Sequence, residues 1–403
     1  MLLLLVIAYF VQVIHALDNI GTSGKLEFGN VGYDGMRRVI GKVSNSSNDN
    51  CMCTLIEPTW FSGPNAPLSE RLVAHIRGPI KLYRFAFYNV PSFIIGSDNN
   101  TQNWTQQAIF DISPENTSKD IFNVTFMGHR GDDSPCQGKE LTFLQQDAIS
   151  HAKENPDPRG FVAEIGSNEE FIIFSNFPCP RSGLDQTCGV YRKGIRSNTG
   201  FEGQTKLFLF EFTMPPETNT TKRSGRHYDA PAIWVANDRL ARGTEFYHWD
   251  NNCSCLFNGC GAYQVFTTNE SDTDYMYSSL QTFQPMENGS IVNDLFQGIT
   301  SNGQFVRPKN TTVRGGVLFD TVGNVVTFLT NKTTFDYEIS PEELETLLYD
   351  IPSVGGERVL QKGALVAPNT TDSKNDGTSF RGIGSIRVVL FSMLTTLIHG
   401  FLL

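Results

Sequence analysis

The fold is decided by two stretches, Y-D-A-P-A-I-W-V-A-N-D (residues 228–238) and C-S-C-L-F-N-G-C-G-A-Y-Q-V-F-T (residues 253–267). The second ends in an alternating pattern that predicts a strand with Ala262 and Gln264 on one face. Upstream, F-L-F-E-F-T-M-P (residues 208–215) is typical of a buried strand that ends at its proline, because proline cannot continue a hydrogen-bonded ladder. This region is therefore predicted to be β-sheet.

The rest of the chain is also predicted to be almost entirely β. Short aromatic and β-branched runs are separated by Gly, Asn, Ser and Pro, as in sandwiches and barrels. One helix is predicted after Ser340, which is a good N-cap before Pro341 and two glutamates. The strongest strand candidates are residues 80–88, 171–174, 206–212, 313–319 and 324–329.

The order of these pieces resembles family 16 glycoside hydrolases: a strand ending in M-P, then P-A-I-W, then G-C-G and a strand. It is more similar to fungal cell-wall proteins described as circularly permuted 1,3-β-glucanases. R-G-P-I-K-L-Y-R-F-A-F-Y (residues 77–88) resembles the N-terminal region of this permuted family, and within it residues 81–88 look like the closing strand of family 16 enzymes, moved to the front. The resemblance implies an all-β, two-sheet antiparallel jelly-roll sandwich, circularly permuted, with an N-terminal β-rich segment.

The resemblance also locates the expected catalytic strand, which in the family reads E-x-D-x-x-E after G-C-G. A retaining glycosidase needs a nucleophilic carboxylate and an acid about 5–5.5 Å apart. Alternation places the first two acids on one face, and a bulge returns the third to it. The matching positions here are Ala262 (nucleophile), Gln264 (middle acid) and Thr267 (acid/base), so all three carboxylates are missing.

Other residues offer alternatives for chemistry and binding. Glu270, Asp272 and Asp274 form E-x-D-x-D, which on a strand would place three carboxylates on one face; solvated charge is the other interpretation. Trp234 either lines a glucan cleft or belongs to the core. Trp249, in a polar loop, is the candidate for an exposed sugar platform.

Both ends of the chain resemble processing signals. Residues 1–16 form an apolar block ending in Ile-His-Ala, which predicts a secretory signal peptide. Residues 388–403 are apolar but shorter than a membrane span, which needs about 20 residues. Asn375 is followed by small residues and a polar spacer, the pattern of glycosylphosphatidylinositol attachment. We therefore expect a secreted protein, anchored by this lipid to the plasma membrane outer face, the cell wall or both.

The domain prediction follows from these features. Between the signal peptide and the jelly roll at 126–350 we expect an N-terminal β-rich segment at 17–98 that supplies a permuted strand, and a glycosylated linker or long loop at 99–125. Residues 351–375 are predicted to be a tether, and residues 376–403 a removed propeptide.

Twelve N-x-S/T acceptors support passage through the secretory pathway and mark predicted surface positions. They are Asn45, Asn99, Asn103, Asn116, Asn123, Asn219, Asn252, Asn269, Asn288, Asn310, Asn331 and Asn369.

Eight cysteines, an even number in an oxidising compartment, predict disulfides. Cys179 and Cys188 are the best local pair, and the other pairings stay open. The cluster at 253–260 has no C-x2-C pair, so neither a metal nor a cofactor is expected.

The net charge of −10 argues against a nucleic-acid partner, which favours a basic face. The resemblance implies a wall protein that binds or remodels β-1,3-glucan, and the alternative is a non-catalytic glucan-binding or structural mannoprotein. A further alternative is an active glucanase that uses Glu270, Asp272 and Asp274.

Overall fold

Two antiparallel sheets stack face to face across a core of aromatic and branched side chains. The structure is a computed structural model that describes residues 23–32, 34–225, 227–243, 253, 260–282 and 299–360. The expected all-β sandwich is confirmed. Two short 3-10 turns cover Pro158–Gly160 and Thr220–Ser224.

The first sheet contains ten strands and has a single helix on its outer side. Along the chain these strands are β1 (Gly24–Gly29), β5 (Ile80–Val90), β6 (Trp104–Asp111), β7 (Ile121–Phe122), β11 (Glu164–Ile165), β13 (Thr205–Thr213), β19 (Val313–Phe319), β20 (Val325–Leu329), β21 (Glu338–Ile339) and β22 (Arg358–Val359). Their order is β21-β6-β5-β13-β19-β20-β1-β22, with β11 beside β5 and β7 beside β6. Strand β22 is parallel to β1.

The second sheet also contains ten strands and carries the motif strand. These strands are β4 (Leu72–Arg77), β8 (Thr125–His129), β9 (Leu141–Leu144), β10 (His151–Ala152), β12 (Glu170–Phe174), β14 (Ala232–Asn237), β15 (Gly261–Asn269), β16 (Asp272–Thr282), β17 (Ile299–Thr300) and β18 (Phe305–Val306). Their order is β10-β9-β8-β12-β4-β14-β15-β16-β17, with β18 beside β16. Strands β2 (Gly35–Ser44) and β3 (Met52–Phe61) form a separate hairpin.

The N-terminal segment is part of both sheets. Strand β5 lies between β6 and β13, so the prediction that residues 81–88 pair with the jelly roll is confirmed. Strand β4 also lies inside the second sheet, between β12 and β14, and β1 pairs with β20. The segment therefore supplies three strands to the sandwich, where the sequence had predicted one.

Alternation along β13 divides its side chains between two layers. Phe208 and Phe210 enter the core between the sheets, whereas Leu207 and Leu209 point outward. The outward residues pack under helix α2 (Pro341–Asp350), which begins as predicted after Ser340 with a capping box. The other helix, α1 (Asp238–Gly243), directly follows β14. Neither is long and apolar enough to cross a membrane, and the described residues contain no helix that is.

Two predictions about connecting segments are wrong. The predicted linker at 99–125 contains β6, which forms a ladder with β5 and places Ala108 and Phe110 in the core. Its polar residues alternate with these apolar ones, so the segment is polar in composition but folded. The predicted tether also begins too early, because Ile351 is buried and β22 pairs with β1. Residues 361–375 lie outside the described residues, as do 1–16 and 376–403.

Three disulfides are described. Cys179–Cys188 confirms the predicted local pair. Cys51–Cys136 and Cys53–Cys253 join the β2–β3 hairpin to loops at the second sheet. The sulfur atoms of Cys53, Cys136 and Cys253 lie within 4.8 Å of one another, but their disulfides leave no thiolate for a metal.

The described glycosylation acceptors are at the surface. Asn269 ends β15 just before a turn, as the sequence predicts. The exposed acceptors are Asn45, Asn99, Asn103, Asn219, Asn269, Asn310 and Asn331, and the half-buried ones are Asn116 and Asn123. Asn252, Asn288 and Asn369 lie outside the described residues. Glycan occupancy stays a prediction.

Lys206 is a fully buried cation near the start of β13. Its ammonium group donates hydrogen bonds to the carbonyl oxygens of Leu68, at 2.7 Å, and Glu70. Burial lowers the pKa of Lys206 to about 7, although nearby carboxylates act in the opposite direction. Between pH 7 and the ordinary lysine pKa of 10.5, the unfolded chain therefore binds more protons than the folded protein. Folding stability must rise with pH across this interval.

We expect Lys206→Met to remove this pH dependence. In the parent protein the contribution of Lys206 to the free energy of unfolding rises by about 2 kcal/mol between about pH 7 and pH 9. Urea titrations across this interval measure the rise, and the exposed Lys119→Met variant is the control. If the parent and both variants show the same pH slope, the assigned titration of Lys206 is wrong.

Candidate functional site

The face of the second sheet that turns away from the first sheet is called the outer face. Tyr263 and Val265 of β15 belong to the core between the sheets. The alternate residues Ala262 and Gln264 therefore lie on the outer face. The cross-strand register supports this placement, because Ala262 pairs with Ala236 and both residues lie outside the core cluster.

A bulge returns Thr267 to the same face. The register of β15 against both neighbouring strands shifts between Gln264 and Thr267. As a result the consecutive residues Val265 and Phe266 are both buried in the core. The three motif positions thus share one face, in the arrangement expected for E-x-D-x-x-E.

The outer face is closed at the expected nucleophile position. Ala262 has an exposed fraction of 0% and packs in an apolar cluster with Ala236, Leu240 and Cys260. Thr267 is also buried, and Gln264 is half-buried. The structure therefore brings the three positions together, but it leaves no open space at Ala262.

Trp234 lies on the outer face, beside Gln264 in the sheet register. Its ring stacks on His75 of β4, with centroids 4.8 Å apart and an interplanar angle of 14°. The Arg77 guanidinium lies 5.5 Å from the centroid of the same ring. Trp234 packs in the apolar cluster of Ala262, outside the core between the sheets, and with an exposed fraction of 5% it is not a freely exposed platform either.

His75 forms a pair with Glu170 of the neighbouring strand β12. The Nδ1–H group of His75 donates to Oε1 of Glu170 at 2.8 Å, since a carboxylate can only accept. Burial raises the pKa of the Glu170 carboxyl, but the hydrogen bond and charge of His75 and other nearby cations outweigh it, so this pKa lies below its ordinary value. Glu170 is therefore ionised on a face from which the motif carboxylates are missing.

Three buried polar atoms around Trp234 have no hydrogen-bond partner within the described part of the chain. They are Nε2 of His75, Oε1 of Gln264 and Oγ1 of Thr267. The exposed fraction of His75 is 1%. Because a buried polar group without a partner destabilises the protein, such a cluster favours a site that a polar ligand or water completes.

Next to these atoms lies a set of half-buried residues that we call the polar strip: Arg77, Glu170, Gln264 and Tyr277. Arg77 and Glu170 are cross-strand partners, and Tyr277 is the partner of Thr267 on β16. The strip offers a cation, a carboxylate, an amide and a phenol ring. These are groups that hold a hydroxyl-rich ligand through hydrogen bonds and ring contacts.

The alternative acidic site does not have the predicted geometry. Glu270 lies in the turn between β15 and β16, so the three acids do not share one strand face. Oε1 of Glu270 lies 2.9 Å from Nδ1 of His227, within ion-pair distance, and Asp274 is paired with Lys309. Asp272 and Asp274 have the parity of core residue Met276, which is opposite to that of Tyr277 on the outer face.

Sequence reasoning missed His75, Arg77 and Glu170. A signal was present for the first two, because L-V-A-H-I-R (Leu72–Arg77) places them two residues apart in a strand. Glu170 gave no local signal, since its position beside His75 depends on pairing between distant strands. Trp249 lies outside the described residues, and so does Asn375.

The two stacked antiparallel sheets and the bulged strand β15 define an all-β sandwich protein. The family model of cell wall protein YJL171C/Tos1 matches in two parts, its C-terminal part over residues 102–347 and its N-terminal part over residues 24–90. The chain therefore belongs to the YJL171C/Tos1 family of cell wall proteins.

Named relatives support this assignment. The chain is 38% identical over 384 residues to a Saccharomyces cerevisiae protein named probable circularly permuted 1,3-beta-glucanase YJL171C, covering 93% of each chain. It is 36% identical over 363 residues to PGA52 of Candida albicans, which carries the same description, covering 88% of this chain and 89% of the relative. The resemblance to the permuted family is thus confirmed. No solved structure matches the chain.

The register of β15 predicts a large loss of stability for one substitution and a small change for its neighbour. Val265→Gln places an amide in the core and should destabilise the protein by about 3 kcal/mol through polar burial and overpacking. Gln264→Val removes an unpaired amide from the outer face and should change stability by less than about 1 kcal/mol. Urea unfolding of both variants measures this difference. A larger loss for Gln264→Val would contradict the bulged register.

Proposed function

We propose that this protein binds β-1,3-glucan of the cell wall along the polar strip, with hydrolysis absent or severely impaired. The observation that carries the proposal is the outer face itself. It keeps the bulged strand of a glycoside hydrolase, but places Ala262, Gln264 and Thr267 where the resemblance expects carboxylates. The name of these relatives, probable circularly permuted 1,3-beta-glucanase, supports the substrate class.

The groups on this face suit a neutral polysaccharide. Sugar hydroxyls both donate and accept hydrogen bonds, so they can satisfy the unpaired Nε2 of His75 and Oε1 of Gln264. The half-buried ring of Tyr277 supplies an apolar surface for a sugar ring. Arg77 and Glu170 add charged groups that form stronger hydrogen bonds than neutral ones.

Two arguments favour binding without turnover. A retaining mechanism needs a nucleophile and an acid, and neither alanine nor threonine can replace a carboxyl group in these roles. In addition, Ala262 is enclosed by Leu240 and Cys260, so a sugar cannot bring its anomeric carbon to that position.

A second candidate function is hydrolysis through Glu170. This residue is an ionised carboxylate on the outer face, and it accepts a hydrogen bond from Nδ1 of His75. It would act with an acid from another part of the chain, since the mechanism requires two groups. A purely structural role as a wall mannoprotein is the third outcome, and lack of glucan binding would favour it.

The proposed location is the outer surface of the cell, in the wall or at the plasma membrane. Membership of a cell wall protein family supports the wall. The lipid anchor at Asn375 and the signal peptide at 1–16 belong to this proposal on sequence grounds alone.

Binding is tested by Tyr277→Ala. Loss of the ring contact should weaken affinity for soluble β-1,3-glucan oligosaccharides about fivefold to tenfold, which corresponds to about 1 kcal/mol. Isothermal titration calorimetry measures this change. Tyr349→Ala is the matched control, because Tyr349 is 88% exposed on helix α2, outside the second sheet. Equal losses in both variants, or no binding by the parent protein, would reject the polar strip as the glucan site.

Turnover is tested by sugar release from linear β-1,3-glucan. We expect at most the residual rate of about 10³–10⁴ over water that survives in other enzymes after their catalytic groups are removed. Chromatography of the products measures release by the purified protein and by Glu170→Gln and Glu270→Gln. Rapid cleavage that is lost in Glu170→Gln would establish the second candidate function. Cleavage that is lost only in Glu270→Gln would show that the active site contains Glu270 and not Glu170.

A further inference from the structure

An open groove of about 820 Å³ lies beside the second sheet, away from the polar strip. One side is formed by residues 41–43 of the β2–β3 hairpin and another by loop residues between 178 and 198, with Phe143 of β9 also in the lining. Strand β9 is two strands from β12, which carries Glu170, or about 10 Å at the usual strand spacing, and the groove lining contains no residue of the polar strip. The groove is therefore separate from the proposed glucan site.

The groove is lined by four cations: Lys42, Arg181, Lys193 and Arg196. All four are exposed, and no ion pair joins any of them to a described carboxylate within 4 Å. The lining contains no Asp or Glu, although the whole chain carries a net charge of −10. Asp185 lies outside the lining and interacts electrostatically with Arg181. The groove is thus a concentrated positive region on an acidic protein.

A buried hydroxyl without a partner also lines this groove. Ser197 is 4% exposed, and its Oγ has no hydrogen-bond partner among the described residues. By contrast, the Oγ of Ser182 donates to the carbonyl oxygen of Tyr191 at 2.7 Å and accepts from its N–H group at 2.8 Å. The Ser197 hydroxyl is therefore available to a ligand, and this observation is independent of the surface charges.

The loop that carries these groups is held in one shape. The Cys179–Cys188 disulfide closes it, and the two Ser182–Tyr191 hydrogen bonds cross it. The backbone N–H of Cys179 also donates to the carbonyl oxygen of Ser197 at 2.8 Å. A loop ordered before binding loses less conformational entropy when a ligand arrives.

We propose that this groove binds a phosphate-bearing sugar. The arginine guanidinium matches the oxygens of a phosphate group, and four cations suit a ligand with more than one negative charge. The Ser197 hydroxyl adds a neutral hydrogen bond, and the volume lies in the range of about 300–1,000 Å³ that is usual for small-ligand sites. The proposal is independent of glucan binding at the polar strip.

The experiment is calorimetric titration of the full chain with glucose 6-phosphate at low ionic strength, with glucose and inorganic phosphate as separate arms. The double variant Lys193→Gln/Arg196→Gln should weaken glucose 6-phosphate binding at least tenfold. Lys119→Gln/Arg223→Gln makes the same change in net charge at exposed cations outside the groove and should leave binding within twofold. Ser197→Ala should weaken binding about threefold, in line with a single neutral hydrogen bond.

Several outcomes would overturn the proposal. Equal losses in the two double variants would show that only the diffuse charge of the protein matters. If inorganic phosphate binds as tightly as glucose 6-phosphate, the groove does not recognise the sugar. If glucuronate, a sugar with a carboxylate, binds equally tightly, the groove does not recognise the phosphate group. Urea unfolding of each variant serves as the folding control, so the test does not depend on glucan binding at the polar strip.

Discussion

The two sheets are tied together at their centres by a very short connection. Strand β4 lies in the middle of the second sheet and β5 in the middle of the first, and only Gly78 and Pro79 separate them. A side chain at Gly78 would collide with the carbonyl oxygens of Ile165 and Gly166. The chain can therefore pass between the sheets here because position 78 is a glycine. Both the stacking of the sandwich and the position of the outer face depend on this passage.

The same connection also positions the polar side chains of the outer face. Strand β4 carries His75 and Arg77 onto the outer face, where His75 meets Glu170 and Trp234. A strand from the permuted N-terminal segment thus supplies polar groups to a surface whose motif strand comes from much later in the chain. The closed cluster at Ala262 and the charged groups near Glu170 divide this face into an apolar part and a polar part.

Much of the fold could be predicted, because alternation and turn residues are local signals. The strands at 80–88 and 206–212, the helix after Ser340 and the bulge before Thr267 all followed from the sequence or from its family resemblance. The strand at 104–111 was missed because glycosylation acceptors and glutamines obscured the core residues Ala108 and Phe110. The His75–Glu170 pair could not be predicted from the sequence, since it depends on the register between strands about a hundred residues apart. Likewise, nothing local to Ala262 indicates that Leu240 and Cys260 cover it.

The β2–β3 hairpin has a different relation to the rest of the protein. It pairs with neither large sheet, and its covalent links to the sandwich are Cys51–Cys136 and Cys53–Cys253. Residues 41–43 of this hairpin form one side of the basic groove. The sandwich is assembled by backbone pairing and core packing, whereas the hairpin that forms this wall is joined to it by two disulfides and by the ion pair between Arg37 and Glu70. Oxidation of these four cysteines therefore adds two covalent crosslinks to one wall of the groove.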